Sequence, residues 1–372
     1  MQISKISLKN NPDLQFIADF LKPYTQRAYL VGGSVRDLLL GLDVCDYDIE
    51  LYDIKPDDFE KIMQKLGAQG FGKSFFVYKF KNYDLALART ENKIAYGHRG
   101  FKIEICNDEK LCAKRRDFTI NSMMIHLFND EFLDFYGGLE DLKAGFLRYV
   151  DKQSFQEDSL RVLRAVVFAS RFGFKITSES LKLMQDMDIK DLSQDRINTE
   201  LYKFFKSPRL DVGYRYLQEL GLEKEIFGFE SVFKSLEFQT LLRKSREFIK
   251  SDALFLYLYL NFFNLDKEIF FKKTKLKKEY LKQAKQIFYL NDMSDFELAK
   301  IAFDMSLKEW LGLWDEKRIE QAKILSLYEN KFESKILAKD FIKLGFCGKD
   351  LGLKLEKARE KELKEYLKGL AK

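Results

Sequence analysis

The chain has 372 residues, which is long enough for two or more domains with sizeable hydrophobic cores. Its net charge of +6 suits a polyanionic partner, and its 35 Phe and 18 Tyr beside only 4 Pro favour long helices with aromatic packing. The 4 cysteines lack C-x-x-C spacing and no apolar run reaches about 18 residues, so we expect a soluble cytoplasmic protein without disulfides or a membrane span.

The first motif joins a predicted strand, residues 28–31, to a predicted helix, residues 35–40, through the glycine pair Gly32 and Gly33. Glycines at such a turn let backbone N–H groups approach a phosphate, and the N-terminus of the following helix adds a favourable dipole. Taken alone, a Gly-Gly pair is more often an ordinary turn.

The second motif is the aspartate pair Asp46 and Asp48, which opens a predicted strand at residues 47–52. Because side chains alternate along a strand, a spacing of two places both carboxylates on one face. Hard oxygen ligands beside a phosphate-binding turn suit Mg²⁺ and nucleotide chemistry. An isolated pair of this kind is more often a solvated strand edge, so the inference depends on the two motifs occurring together.

The remaining pattern divides the chain into two regions of different character. Short strands and helices alternate first, and helical periodicity then continues from about residue 154 to the C-terminus. The apolar run at 254–263 is too short to span a bilayer and predicts a buried helix. The sequence therefore predicts an α/β head followed by an all-α remainder. Within the head we predict strands at 75–80, 83–88 and 118–127 and a helix at 57–66.

Four strings, taken in order, are similar to the motifs of one enzyme family. GGSVRDLLLG followed by DYD resembles the nucleotidyltransferase superfamily that includes DNA polymerase β, and more narrowly the class II tRNA nucleotidyltransferases and bacterial poly(A) polymerases. RRDFTIN at 115–121, EDSLRVLR at 157–164 and DRINTEL at 195–201 resemble further motifs of that family. The resemblance implies an α/β nucleotidyltransferase head with a polymerase β-like mixed sheet at 1–150, a helical neck at 151–210, and a helical, tRNA-binding body and tail at 211–372.

The resemblance also assigns roles around the nucleotide. From the residues alone, the two arginines of RRDFTIN could clamp phosphates or form a solvated basic turn. The resemblance implies that Gly33, Arg36 and Arg116 hold the triphosphate. It further implies that Asp117 and Asn121 brace the sugar pocket.

The same resemblance assigns the chemical step to carboxylates. The resemblance implies that Asp46 and Asp48 hold two Mg²⁺ ions, one activating the attacking 3′-hydroxyl and one stabilising the leaving pyrophosphate. Asp84, in the predicted strand at 83–88, is the candidate for a third catalytic carboxylate, because members of the superfamily often take one from a neighbouring strand. A surface aspartate is an equal alternative at that position.

Base selection is expected from the neck. Asp158, Arg161 and Arg164 are spaced by three, so they lie along one face of a predicted helix. Such an Asp–Arg pair is more often a surface ion pair, but an acceptor beside a donor also complements the edges of cytosine and adenine. By resemblance to the E-D-x-x-R motif, these side chains select the nucleotide without a nucleic-acid template.

Two further stretches are expected to contact or position tRNA. Residues 89–100 are polar and punctuated by glycine, and they resemble a flexible loop that tRNA nucleotidyltransferases need for the final adenosine. A basic stripe in the C-terminal third is most often a solvated helix face, but tRNA phosphates would give it a partner. The candidate RNA-binding residues are Lys272, Lys273, Lys275, Lys277 and Lys278.

The resemblance therefore implies a Mg²⁺-dependent enzyme that adds C, C and A to tRNA 3′ ends from CTP and ATP. Its expected partners are tRNA, CTP and ATP, with no membrane and no obligatory protein partner. A poly(A) polymerase and an enzyme that adds only CC or only A remain as alternatives. A non-catalytic RNA-binding relative is disfavoured, because Asp46 and Asp48 are both present.

Overall fold

The computed structural model of the chain describes Leu8 and residues 11–70, 76–93, 101–231 and 233–370. The chain forms two compact units, Met1–Glu200 and Leu201–Lys372. The finer division into head, neck, body and tail stays a proposal.

The first unit contains the strands of the described residues. They are β1 (Ala28–Val31), β2 (Tyr47–Leu51), β3 (Gln69–Gly70), β4 (Val77–Phe80), β5 (Tyr83–Leu87), β6 (Arg89–Lys93), β7 (Phe101–Ile105), β8 (Met124–His126), β9 (Phe132–Leu133), β10 (Phe146–Leu147) and β11 (Lys175–Ile176). Ten lie in the predicted head, and β11 lies in the predicted neck, where only helices were expected. Among the described residues, seven of these strands form one sheet in the order β3-β4-β5-β2-β1-β8-β9. Within this sheet β2 pairs parallel with β5 and antiparallel with β1, so the sheet is mixed.

Nine helices accompany these strands in the described chain. They are α1 (Pro12–Leu21), α2 (Gly33–Leu40), α3 (Pro56–Leu66), α4 (Glu109–Lys114), α5 (Gly138–Ala144), α6 (Lys152–Gln156), α7 (Leu160–Phe172), α8 (Ser178–Gln185) and α9 (Gln194–Lys206). α3 begins at Pro56, whose fixed φ suits a first helical position, and it ends at Gly67, whose φ is 76°. The predicted helix at 57–66 is thereby confirmed to within one residue.

The strand predicted at 118–127 is wrong over its first half. Thr119–Asn121 forms a 3₁₀ turn, and only β8 pairs with neighbouring strands. Local side-chain bonds explain the difference: Oδ1 of Asp117 accepts the N–H of Phe118, and Oγ of Ser122 donates to the carbonyl oxygen of Thr119. Such bonds offer the backbone an alternative to a strand ladder.

The stretch expected to be a flexible loop, 89–100, is partly ordered as a strand. Its first residues form β6, which pairs antiparallel with β7 in a separate two-stranded sheet. The rest of the expected loop, residues 94–100, lies outside the described residues.

All regular secondary structure among the described residues of the second unit is helical, as predicted, including a 3₁₀ helix at Leu307–Glu309. The α-helices of this unit are α10 (Leu210–Glu219), α11 (Leu222–Phe227), α12 (Ser235–Phe248), α13 (Leu254–Phe262), α14 (Lys267–Thr274), α15 (Lys278–Ala284), α16 (Asp295–Ile301), α17 (Glu316–Ile324), α18 (Ala338–Lys343) and α19 (Gly348–Leu370). The predicted buried helix is α13, whose first seven residues are all buried. No helix in the described part of the chain combines the length and the apolar character needed to cross a membrane.

Gly138, at the start of α5, packs directly on the 3₁₀ turn that follows Asp117. A Cβ atom at Gly138 would lie 2.1 Å from the carbonyl oxygen of Thr119 and 2.9 Å from Cγ of Met123. The carboxylate of Asp134 accepts the N–H groups of Gly138 and Leu139, which fixes the start of the helix against the turn. A side chain at this position would push the turn away.

We expect Gly138→Ala to lower the free energy of unfolding by about 1–3 kcal/mol, because the clash is with backbone and cannot be relieved by a rotamer change. Urea unfolding followed by circular dichroism measures the effect. Gly352→Ala is the control: nothing lies within 4 Å of its added Cβ, and alanine should stabilise α19 by roughly 0.5–1 kcal/mol. An unchanged unfolding midpoint for Gly138→Ala would contradict the packing argument.

Candidate functional site

Three aspartates meet on one face of the large sheet. Asp48 on β2 and Asp84 on β5 are register partners in the parallel pairing, so their side chains point to the same side. Asp46 precedes β2 by one residue. The Nζ atom of Lys79, on β4, lies 3.0 Å from Oδ1 of Asp46 and 3.3 Å from Oδ1 of Asp84. The sheet therefore gathers the carboxylates that the sequence singled out and adds a lysine that it did not.

The charges of this cluster favour a bound cation. Burial raises the pKa of Asp48 against the opposing charge of Arg116, and the neighbouring carboxylates of Asp84 and Asp46 raise it further. Over the described ranges, no group of three or more His, Cys, Asp and Glu side chains is arranged to hold a metal unaided. A hard divalent cation that is bound through one or two carboxylates, waters and substrate phosphates needs no such cage. The oxygen donors of Asp46 and Asp48 fit a cation of that kind.

The glycine turn lies against the same carboxylates. Gly32 has a φ of 67°, and an added Cβ would lie 2.8 Å from Nη1 of Arg116 and 3.5 Å from Oδ2 of Asp48. The backbone conformation therefore favours glycine, and a side chain at this position would displace the guanidinium of Arg116. Oγ of Ser34 donates to the carbonyl oxygen of Asp46 (3.0 Å) and accepts the N–H of Asp48 (2.9 Å). The start of α2 and the start of β2 are thus bonded through one hydroxyl.

A buried chain of hydrogen bonds connects three of the sequence motifs. Nη1 of Arg36 donates to Oδ1 of Asn121 at 2.6 Å, and Nδ2 of Asn121 donates to Oδ1 of Asp117 at 2.9 Å. The second carboxylate oxygen of Asp117 accepts Nε of Arg164 at 2.7 Å. Arg36, Asn121 and Asp117 are only 3%, 4% and 7% exposed. We call these four residues the Arg36–Arg164 network.

Arg36 is held from several sides in this network. Its guanidinium binds the carboxylate of Asp37 at 2.8 Å and packs over the rings of Phe168 and Phe172, with centroids 5.1 and 4.9 Å away. Burial lowers its pKa against the charge of Asp37. Nη2 of Arg36 lies 3.4 Å from the position of a Cβ added at Gly33, so Arg36 lies beside the glycine turn. Its direct contact with a triphosphate stays a prediction.

Asp117 carries the charge that balances the network. Burial alone would raise its pKa, but the charge of Arg164, the hydrogen bond from Asn121 and the charge of Arg161 outweigh it and lower the pKa to about 2. The carboxylate is therefore ionised over the whole physiological range.

The three candidate base-selecting residues do not all lie on one helix. Asp158 precedes α7 and accepts the N–H of Leu160, so its position in a helix was wrongly predicted. The two arginines, Arg161 and Arg164, lie on α7 as predicted. Nη2 of Arg196, from the DRINTEL string, lies 3.2 Å from Oδ1 of Asp158 and holds it in place.

Arg161 is bonded to main-chain oxygens on both sides of the motif. It donates to the carbonyl oxygens of Ser154 (2.9 Å) and Arg115 (2.6 Å). The candidate base-selecting segment, residues 158–164, is therefore attached to the backbone of the RRDFTIN string within the first unit.

The five candidate RNA-binding lysines are all exposed in the second unit. They do not form one continuous helical stripe, because Lys275 ends α14 with a φ of 52° and α15 begins only at Lys278. Nζ of Lys277 lies 5.0 Å from the ring centroid of Tyr202 and 3.8 Å from Oε1 of Glu279. Their contact with RNA stays a prediction.

Sequence reasoning missed Glu50, which lies two residues after Asp48 on β2. Burial would raise its pKa, but the charges of Arg116 and Arg115 keep the pKa below its ordinary value. The signal was present in the continued alternation of acidic residues, D-x-D-x-E from Asp46 onward.

Comparison with known proteins supports the resemblance drawn from the motifs. Residues 28–148 match the family described as "Poly A polymerase head domain", and residues 173–230 match "Probable RNA and SrmB-binding site of polymerase A".

The "Multifunctional CCA protein" of Pasteurella multocida is 39% identical over 215 residues, which is 54% of this chain and 49% of that protein. The protein of the same name from Nitrosospira multiformis is 40% identical over 188 residues, 47% of this chain and 43% of that protein. The chain spans about half the length of the first of these relatives and less of the second.

Solved structures confirm the fold. The CCA-adding enzyme of Bacillus stearothermophilus in complex with CTP has a TM-score of 0.68 at 23% identity, covering 94% of this chain and 92% of that one. The Thermotoga maritima CCA-adding enzyme complexed with tRNA has a TM-score of 0.67 at 21% identity, covering 99% and 97%. The predicted α/β head with a helical remainder is thereby confirmed.

We expect Asp117→Asn to lower the free energy of unfolding by about 2 kcal/mol near pH 7, because Arg164 loses its charged partner. The folded pKa of about 2 lies below the ordinary value, so the contribution of the carboxylate is complete above the unfolded pKa. It is lost as the pH falls through about 4 toward 2.

Urea unfolding of both proteins from about pH 7 down to about pH 3 tests this expectation, because the stability difference between them must shrink as the pH falls. Asp58→Asn, on an exposed aspartate of α3, is the control and should change little. A difference that stayed constant over this range would disprove the assigned charge pairing.

Proposed function

We propose that this chain is a nucleotidyltransferase that adds C, C and A to the 3′ end of tRNA from CTP and ATP, releases pyrophosphate and uses no nucleic-acid template. The observation that carries the proposal is the Arg36–Arg164 network, which joins the glycine turn, the RRDFTIN string and the base-selecting segment into one site. The names of the matched relatives, and the CTP and tRNA in the neighbouring structures, support the same activity.

Asp46 and Asp48 would hold the divalent cation on which this chemistry depends, and we propose Mg²⁺. When bound, such a cation stabilises the charge of the reacting phosphates and favours ionisation of the attacking 3′-hydroxyl. Asp84, the register partner of Asp48, adds negative charge to the same face and is the proposed third carboxylate. Lys79 keeps Asp46 and Asp84 at a fixed separation through its two contacts.

The triphosphate is bound by the glycine turn and Arg116. The backbone N–H groups at the N-terminus of α2, beginning at Gly33, supply donors and a favourable dipole for phosphate oxygens. Arg116 lies beside Gly32 and adds a guanidinium that matches phosphate geometry. Binding energy at these positions holds the α-phosphate near the carboxylates.

Base selection falls to Asp158 and Arg161, with Arg164 in support. An acceptor beside a donor complements the edges of both C and A, whereas U and G would leave a polar group unpaired at a cost of about 1–3 kcal/mol. Arg164 is fixed by Asp117, and Asp117 and Asn121 brace the sugar pocket from below.

The tRNA is proposed to contact the second unit, through lysines that bind phosphates in a salt-dependent manner. The head at 1–150, the neck at 151–210 and the body and tail at 211–372 would then hold the nucleotide, the base-selecting segment and the tRNA. A cytoplasmic location follows from these proposed substrates. The candidate phosphate contacts are Lys272, Lys273, Lys275, Lys277 and Lys278.

One assay distinguishes this activity from its alternatives. Purified protein is incubated with tRNA that lacks the CCA end, tRNA that ends in CC and complete tRNA, with CTP and ATP supplied separately and together. We expect two cytidines on the first substrate with CTP, one adenosine on the second with ATP, and no extension of the third.

The other outcomes identify the alternatives. Long adenosine tails on any RNA would instead assign a poly(A) polymerase, an alternative that the description of the matched head family favours. Addition of CC alone or A alone would assign a partial enzyme, and no incorporation at all would leave a non-catalytic RNA-binding relative.

We expect Asp46→Ala and Asp48→Ala each to lower incorporation by about 10³-fold or more, because the cation at the reacting phosphate loses a ligand. Binding of tRNA, measured by gel shift, should persist. Asp43→Ala removes an exposed carboxylate three residues before Asp46 and is the matched control. Near-normal turnover by either site variant would refute the metal assignment.

We expect Arg161→Ala to reduce the preference for CTP and ATP over UTP and GTP by about tenfold, because a specific donor at the base edge is lost. The measurement is kcat/KM for all four nucleotides on tRNA without CCA and on tRNA ending in CC. Lys152→Ala removes a nearby exposed positive charge on α6 and serves as the control. A uniform decrease for all four nucleotides would show that Arg161 only stabilises α7.

A further inference from the structure

Glu50 is a buried carboxylate on the strand that also carries Asp48. It lies on β2, between β1 and β5, opposite Tyr29 and Ala86. Only 1% of the residue is exposed. Although it follows Asp48 on the same face of the strand, its carboxylate is enclosed by side chains and does not reach solvent.

Two consecutive arginines of the RRDFTIN string converge on this carboxylate. Nη2 of Arg115 lies 2.7 Å from Oε1 of Glu50, and Nη2 of Arg116 lies 3.5 Å from Oε2. Oη of Tyr52 also donates to Oε2, at 3.3 Å. One negative charge therefore binds two adjacent cations that would otherwise repel each other.

The two ends of the Arg116 guanidinium face different parts of the site. Nη2 faces Glu50, whereas Nη1 is the nearest atom to a Cβ added at Gly32. Its Nε atom is buried and has no hydrogen-bond partner among the described residues, so it does not help to fix the side chain. Glu50 therefore holds one end of the guanidinium, while the other end faces the glycine turn and the charge of Asp48.

Arg115 extends the same arrangement to the base-selecting segment. Its guanidinium is held by Glu50, and its carbonyl oxygen accepts Nη2 of Arg161. Buried ion pairs often contribute little net stability, because desolvation offsets the attraction. A buried carboxylate that contacts both arginines of the RRDFTIN string is better explained by positioning than by stability.

We propose that Glu50 is a positioning residue for nucleotide binding, which acts by holding Arg116 toward the triphosphate. The inference rests on the proposed function, in which Arg116 contacts the triphosphate. Glu50 itself touches neither nucleotide nor cation.

The test is a double-mutant cycle on nucleotide binding without tRNA, so that no acceptor is present and no turnover occurs. Titration calorimetry with CTP and Mg²⁺ measures the dissociation constant for the unchanged chain, Glu50→Gln, Arg116→Ala and the double variant. We expect Glu50→Gln to weaken CTP binding about tenfold, and this effect to disappear in the Arg116→Ala background, because Glu50 acts through Arg116. In the tRNA assay, KM for CTP and ATP should rise by similar factors while kcat changes little.

Two further variants make the result specific. Glu223→Gln removes another buried glutamate charge, in the second unit, where Glu223 is 1% exposed and accepts Oη of Tyr259 at 2.8 Å. It should leave CTP binding unchanged. If Glu50→Gln does not fold by circular dichroism, Glu50→Asp keeps the charge but retracts it by one methylene, and it should weaken CTP binding by about threefold.

The outcomes separate this inference from the proposed function. If the unchanged chain binds CTP and neither Glu50 variant alters the affinity, or if the effect persists without Arg116, the positioning role is overturned while the proposed function stands. If the unchanged chain binds neither CTP nor ATP, both are overturned.

Discussion

The site depends on one buried negative charge, the carboxylate of Asp117. A charge removed from water must be compensated by hydrogen bonds and opposite charges, or it will destabilise the fold. Asp117 meets this requirement with Arg164 from α7, Asn121 from its own 3₁₀ turn and the adjacent N–H of Phe118. Asn121 in turn binds Arg36. The charges of Arg36, Asp117 and Arg164 therefore compensate one another, although Arg36 and Arg164 are more than a hundred residues apart in the sequence. The motifs are thus physically interdependent, which explains why they are informative as a set and ambiguous singly.

Sequence reasoning succeeded where the determinants were local. The strand at 28–31, the helix α3 and the buried helix α13 follow from periodicity, proline and glycine, all read within a few residues. Sequence reasoning failed where side chains redirect the backbone, as at 118–127. A short apolar run predicts a strand there, but it does not reveal that the carboxylate of Asp117 accepts the N–H of Phe118. The family resemblance supplied the candidate residues, but not their partners. Glu50 and Lys79 were missed because their partners lie on other strands or on a later turn.

Several arginines surround the candidate nucleotide site. Their side chains are already bonded to other residues of the protein in the absence of a ligand. Arg36, Arg164 and Arg115 each bind a carboxylate, and Arg161 binds two carbonyl oxygens. A planar guanidinium fixed at one end presents its remaining N–H groups in a defined direction, which a flexible ammonium does not. Ordering these side chains during folding reduces the conformational entropy that nucleotide binding must overcome.

The position of β2 within the sheet has a kinetic consequence. β2 is paired along both sides, with β1 and with β5, so its amides are released only when the centre of the sheet opens. Short edge strands such as β3 and β9 can fray without disturbing it. The carboxylate of Asp48 is thereby attached to the centre of the sheet, which we expect to open less often than its edges. A cation or nucleotide that bound there would meet an acidic face that lasts as long as the folded unit itself.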